Sequence, residues 1–260
     1  MKKYFTIIIA LLFMFACEDD YYINTNKNTY TDDIADITYL NGSFYTTNYD
    51  LSYNAGPQID LFKFASDGQV IEDAFPLPMN GQGFMAITND GSDIYLQSKR
   101  QRSTIKVSPV GELVYMKWDS VLNNHWNPSG ICYMSDLDSL LLLYQKSQDR
   151  STYRVRVVNK NDPDEASRDF NVEWDFVDTT DYGVYALDYY DSSFYLLGVD
   201  TGGTDIFFKT DNLFNIDTMV TIPDSTVVGI CVAKFSPLST PPDLYLSYRD
   251  RKLVSWGELP

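Results

Sequence analysis

The chain is poor in the residues on which most site chemistry and most helical packing rely. Its 260 residues include one histidine, three cysteines and only six Glu. A lone His125 cannot build a multi-histidine zinc site, and no Cys-x-x-Cys pair stands in for one. A Ser-His-Asp triad would need His125, yet no Gly-x-Ser-x-Gly elbow accompanies it, so His125 reads as a loop residue beside Trp126. Lys and Arg number 20 against 36 Asp and Glu, a formal charge of −16. Without clustered cations to release counterions, the phosphate backbone of nucleic acid is excluded as a partner. No Walker-type or Gly-x-Gly-x-x-Gly loop supports nucleotide use, and the residues call for no cofactor. No long amphipathic helical segment occurs.

What is abundant is Asp, with 30 residues, and aromatic side chains, with 39. Asp suits turns and caps, and aromatics suit strands, so the balance points to many short strands joined by Asp-rich turns. At 44% apolar, the chain can bury a core.

The N-terminus reads as an address. Met1-Lys2-Lys3 is cationic, and Tyr4 to Ala16 carry no charge, a run short for a membrane span and shaped like a secretory signal. It ends in Phe13-Met14-Phe15-Ala16-Cys17, followed by Glu18-Asp19-Asp20. The small residue before Cys resembles a bacterial lipobox, with Met14 and Phe15 departing from its usual pattern. The acidic run resembles the surface-export signal of Bacteroidetes lipoproteins. The resemblance implies a signal peptide over 1–16, acylation of Cys17, and a tether over 17–29. The protein would be lipid-anchored at the outer membrane, on the cell surface or its periplasmic face. Acyl chains anchor at about 0.8 kcal/mol per buried methylene. Losing Lys2 and Lys3 takes the charge to −18, which repels anionic surfaces and holds the body off the bilayer.

Over residues 30–260 one pattern returns five times. Gly42-Ser43-Phe44-Tyr45, Ser92-Asp93-Ile94-Tyr95, Asp138-Ser139-Leu140-Leu141, Ser192-Ser193-Phe194-Tyr195 and Pro242-Asp243-Leu244-Tyr245 end 50, 46, 54 and 50 positions apart. Each follows a marker: Asp33-Ile34-Ala35-Asp36, Gly83-Phe84-Met85-Ala86, Gly130-Ile131-Cys132-Tyr133, Gly183-Val184-Tyr185-Ala186 and Gly229-Ile230-Cys231-Val232. Three or four short strands per unit of about fifty residues predict an all-β fold, a β-propeller of five blades. The repeat resembles the YVTN- and kelch-like propellers and lacks the WD dipeptide. Two packed β-domains are the alternative. The fifth unit stops after its third strand, Lys252-Leu253-Val254-Ser255-Trp256, so Tyr21-Tyr22-Ile23-Asn24 are expected to supply the outer strand that closes the ring.

In a propeller the loops leading into the inner strands form the channel mouth. Here they contribute Asp32, Gln82, Trp126, Asn127, Asp181, Tyr182 and Thr226, a mixture of rings and hydrogen-bonding groups suited to a polar ligand. Simple packing of Trp126 and Tyr182 between blades is the competing reading. Cys132 and Cys231 occupy matching places with a blade between them, beyond the roughly 7 Å Cα separation a disulfide spans, and read as buried free thiols. A metal site is not expected: the acid-rich stretches around Asp93, Asp138 and Asp162 lack calcium-loop spacing and read as turns.

Three functions follow. The first is a non-enzymatic binding or scaffold module for a glycan, peptide or envelope protein, touching the membrane through its lipid alone. The second is a glycoside hydrolase of five-bladed propeller type, drawing on Asp32, Asp33, Asp36, Asp181, Asp188 or Asp224, with no Glu on the inner strands to serve as acid. The third is a structural subunit of an envelope complex. An enzyme is the less favoured, and no catalytic residue is assigned.

Overall fold

A computed structural model describes residues 20–22, 34–48, 58–65, 71–80, 84–98, 102–119, 125–178, 183–223, 227–233, 243–248 and 252–258. Cys17, Asp32, Asp33, Gln82, Asp181, Tyr182, Asp224 and Thr226 lie outside them. Among the described residues every regular element is a strand. In chain order they are β1 (Asp20–Tyr22), β2 (Ile34–Leu40), β3 (Ser43–Asn48), β4 (Gln58–Phe64), β5 (Ile71–Asn80), β6 (Phe84–Asn89), β7 (Ile94–Ser98), β8 (Ser103–Val107), β9 (Leu113–Trp118) and β10 (Trp126–Met134). There follow β11 (Ser139–Lys146), β12 (Thr152–Asn159), β13 (Asp162–Glu173), β14 (Val184–Tyr190), β15 (Ser193–Val199), β16 (Asp205–Thr210), β17 (Ile216–Thr221), β18 (Val227–Ala233), β19 (Asp243–Tyr248) and β20 (Lys252–Glu258).

These strands form antiparallel four-stranded sheets. Four sheets are consecutive meanders, β2 to β5, β6 to β9, β10 to β13 and β14 to β17. In a further sheet β18, β19 and β20 are joined by β1, with Asp20 opposite Val254 and Tyr22 opposite Lys252. The first strands of the sheets contact one another in the cycle β2, β6, β10, β14, β18 and back to β2. This is a propeller arrangement.

Hairpin chemistry explains the tight turns. Asn41-Gly42 and Asp191-Ser192 each place two consecutive residues at positive φ, the two-residue turn that matches strand twist. Wider turns are tied by aspartate: Asp211 Oδ1 accepts the Leu213 and Asn215 N–H groups, and Asp200 Oδ1 those of Gly202 and Thr204. Asp90 Oδ1 accepts from the Ser92 and Asp93 N–H groups. Burial alone would raise the Asp90 carboxyl, but these bonds and the Lys160 ammonium hold it below the usual carboxylate range.

Burial runs from the ring outwards. The middle strands β7 and β8 are buried along their length, whereas β9, β13 and β17 are largely exposed or half-buried. The core therefore fills the spaces between neighbouring sheets. Between the β10 and β14 sheets it is aromatic: Trp174 meets Tyr153 at 4.9 Å and Phe208 at 5.4 Å, and Phe194 stacks on Phe214 at 4.6 Å. Three of the four tyrosines of the repeat share a kind of partner, the fourth, Tyr245, standing opposite Ser255. Tyr45, Tyr95 and Tyr195 stand opposite Lys63, Lys106 and Lys209, which reach Glu72, Asp93 and Asp217.

A buried ion pair joins the β6 and β10 sheets. Arg156 Nη1 bonds Asp119 Oδ2, which also accepts the Tyr144 hydroxyl at 2.7 Å. The Arg156 side chain is 2% exposed and that of Asp119 5%, so neither charge can fall back on water. Arg156→Met should therefore cost about 3 to 5 kcal/mol by stranding a buried carboxylate. That amounts to a fall of about 10 °C in thermal midpoint. Arg154, two residues away and paired with Asp169 nearer solvent, should cost under about 1 kcal/mol when changed to Met. Equal midpoints for the two variants would show that the buried pair is not what joins the sheets.

Candidate functional site

An inner strand has a partner on one side only, so its other edge leaves N–H groups that need acceptors. Two levels of each inner strand bear on this need. Register places Ile37, Ile87, Ile131, Leu187 and Ile230 at one level, each opposite the residue that follows its neighbour's four-residue pattern, Thr46, Leu96, Leu142, Leu196 and Leu246. The residues just before them are Asp36, Ala86, Gly130, Ala186 and Gly229; those just after are Thr38, Thr88, Cys132, Asp188 and Cys231. All ten are small. Immediately before the first set, all five inner strands carry a register shift, at Ile34/Ile37, Phe84/Ala86, Pro128/Gly130, Val184/Ala186 and Val227/Gly229. A bulge at the same level in every sheet turns the strands towards one another.

The glycine markers of the sequence are thus out of step. Gly183 precedes its bulge, whereas Gly130 and Gly229 follow theirs and sit three residues further along. The two uses differ physically. A Cβ at Gly229 would lie 2.5 Å from Asp36 Cα, and one at Gly130 would lie 2.1 Å from Leu187 Cδ2, so these glycines permit close approach of inner strands.

Side chains supply the acceptors. Thr88 Oγ1 accepts the Tyr133 N–H of the next inner strand at 3.1 Å, and Asp188 Oδ2 accepts the Val232 N–H at 2.8 Å. The Tyr39 N–H meets the Cys231 thiol in the same relation. Asp36 bridges three strands: its Oδ1 accepts from Ile37 and Ile230 at 3.0 Å each, and its Oδ2 from Ile87 at 3.4 Å. Burial drives the Asp36 carboxyl well above its usual range, against these three N–H groups, and the Asp188 charge adds to the rise. Burial likewise pushes Asp188 up to about 6, opposed by the Val232 and Tyr189 N–H groups. Cys132 and Cys231 are buried and free, and burial raises both thiols, with the two carboxylates adding to it.

Of the residues expected at the mouth, Trp126 and Asn127 are described. They open β10 opposite Lys146 and Gln145. Trp126 is half-buried against the Ala86, Tyr95 and Tyr144 cluster, and the Arg154 guanidinium lies over its ring at 5.8 Å. Asn127 is half-buried beside it. Sequence reasoning did not single out their neighbours Gln145 and Tyr153. Gln145 Nε2 donates to the Tyr153 hydroxyl at 3.1 Å, and that oxygen accepts the Val184 N–H at 2.8 Å. His125 is exposed in the turn before them. Asp36 and Asp188, considered as hydrolase carboxylates, are both engaged in main-chain bonding, each through both oxygens.

The fold is thus all-β and of propeller type, with acidic and thiol side chains in its inner ring. No protein-family description and no curated protein matches the chain. Among solved structures it is similar to glutaminyl cyclase of Myxococcus xanthus, with TM-score 0.61 and 11% identity over 91% of this chain and 92% of that one. It is also similar to a chain of a nidogen/laminin complex, with TM-score 0.54 and 14% identity over 83% of this chain and 72% of that one. At these identities the likeness is one of fold.

Because Gly229 faces the Asp36 main chain, Gly229→Ala should push β18 away from β2 and cost about 1 to 3 kcal/mol. Urea unfolding measures this directly. An unchanged midpoint would mean that the strands do not need the closeness.

Proposed function

We propose that the chain is a five-bladed propeller closed by its N-terminal strand and carried on a lipid at Cys17 at the outer membrane. In this reading it serves as a binding or scaffold module, not an enzyme. The observation that carries the reading is the use of Asp36 and Asp188: both oxygens of each are taken up by strand N–H groups. General acid and base work needs a carboxyl free to exchange a proton with a substrate, and these two are employed in holding strands. The likeness to glutaminyl cyclase brings the fold without its chemistry, since propellers host unrelated functions.

The ligand end in this reading is the mouth where Trp126 and Asn127 stand, with Asp32, Gln82, Asp181, Tyr182 and Thr226 on the corresponding loops. An indole offers a face to a sugar or peptide, and the amides and carboxylates bond its polar groups. A glycan, a peptide or an envelope protein fits that chemistry. Pull-down of envelope fractions, with isothermal titration of whatever is captured, provides the ligand. Trp126→Ala should then weaken its binding at least about tenfold, measured at a temperature where the variant is still folded. Undiminished binding by that variant would move the site elsewhere. Turnover of a glycoside panel, lost on changing Asp33 or Asp181, would establish the hydrolase instead. Cys17→Ser should remove the acyl mass and release the protein from membranes; retention of both would refute the anchor.

A further inference from the structure

The junctions of the inner ring are not chemically alike. Where β6 meets β10, the side chain that accepts a main-chain N–H is the hydroxyl of Thr88. Where β18 meets β2, one group in that role is the thiol of Cys231, a group burial keeps protonated. The strand β18 is held differently. Its Ile230 N–H is taken by Asp36 from β2 on one side, and its Val232 N–H by Asp188 from β14 on the other. Both are carboxyls, and they reach β18 from its two neighbours. The strand so held leads the sheet of β18, β19, β20 and β1, which joins the C-terminal strands to the N-terminal one.

We propose that Asp36 and Asp188 form a proton-operated latch on this closing sheet, tight while both carboxyls are protonated and loosened as they ionise. The Asp188 charge reaches Asp36 through the buried ring and adds to what burial does there. The other ionisable groups facing them are Cys132 of β10, Cys231 of β18 and Tyr195 of β15, none of them a cation. Among the described residues a negative charge there therefore meets no counter-charge, and the loss of solvation offsets what the N–H bonds gain.

The sign follows from linkage. Both carboxyls titrate higher in the folded ring than in an open chain, so the stability they contribute is complete below the unfolded carboxylate range, near pH 4. It declines as pH rises through about 6, where Asp188 ionises. Loosening is local, since the β6 to β10 junction relies on a hydroxyl that does not titrate in this range.

Hydrogen exchange on the intact protein, read by mass spectrometry at pH 5 and pH 8 and corrected for intrinsic exchange rates, tests this. Protection of β18 should fall at least about tenfold more than that of β10 between the two values. Asp188→Asn should reduce that difference to under about threefold. Asp188→Thr copies the arrangement of Thr88 and should do the same while keeping an acceptor for Val232, which guards against a variant lost to misfolding. Equal behaviour of β18 and β10 in the native protein, or an undiminished difference in either folded variant, would overturn the latch.

Discussion

The inner edge of a propeller sheet is the constraint on which the rest depends. Each first strand must end its hydrogen-bonded ladder against other first strands that run beside it without pairing to it, in a space too narrow for solvent to satisfy every amide. Backbone groups buried without partners are costly, so the sequence places a short acceptor side chain at one fixed level of three inner strands, β6, β14 and β18. Threonine, cysteine and aspartate fill this role within the same register. Their shortness matters as much as their oxygen or sulfur. Neighbouring positions are Ala or Gly, and a larger side chain there would hold the strands apart. The repeated bulge, the small residues and the acceptors are thus three answers to one geometrical demand.

This demand also changes the meaning of the acidic composition. Much of the Asp excess is turn chemistry, as at Asp90, Asp200 and Asp211, where one carboxylate oxygen holds two N–H groups of its own loop. Asp36 and Asp188 do the same work across long sequence distances. Their carboxyls are buried and sit among one another's fields, an arrangement that elsewhere would suggest catalysis. Here the occupied lone pairs supply a structural explanation, and the raised proton affinity follows from burial in the ring.

How much of this could be read beforehand follows from where the partners lie. The fifty-residue repeat and the all-β character were legible, because each unit restates its own turn and strand chemistry locally. Cys132 and Cys231 as free thiols were legible from their equivalent places. The register of the glycine markers was not: a glycine before a bulge and a glycine after one look identical in a row of letters, and only pairing separates Gly183 from Gly229. Asp36 was equally opaque in its role, since its acceptor oxygens serve residues 51 and 194 positions away. Arg156 shows the same limit. Alternation in β12 puts it on one face with Arg154, and only Asp119 of the adjacent sheet decides that Arg156 is buried while Arg154 stays near solvent. Trp126 and Asn127 were named for their place at the start of an inner strand, whereas Gln145 and Tyr153 became visible only through the hydrogen bonds that join them to Val184.

Cooperativity in such a ring comes from its junctions, since four of the sheets are local meanders able to form from adjacent residues. A junction made by a hydroxyl or an arginine–carboxylate pair is insensitive to pH near neutrality, because neither partner changes charge there. A junction made by two carboxyls is not. The chain places its carboxyl junctions on both flanks of the one sheet assembled from opposite ends of the sequence, where closure carries the largest loop entropy. The sheet that joins the two ends of the chain is thereby the one most exposed to its proton environment. Among the described residues the groups facing these carboxyls are thiols and a tyrosine hydroxyl, so the balance between N–H bonding and the cost of a buried charge is struck there without a cation.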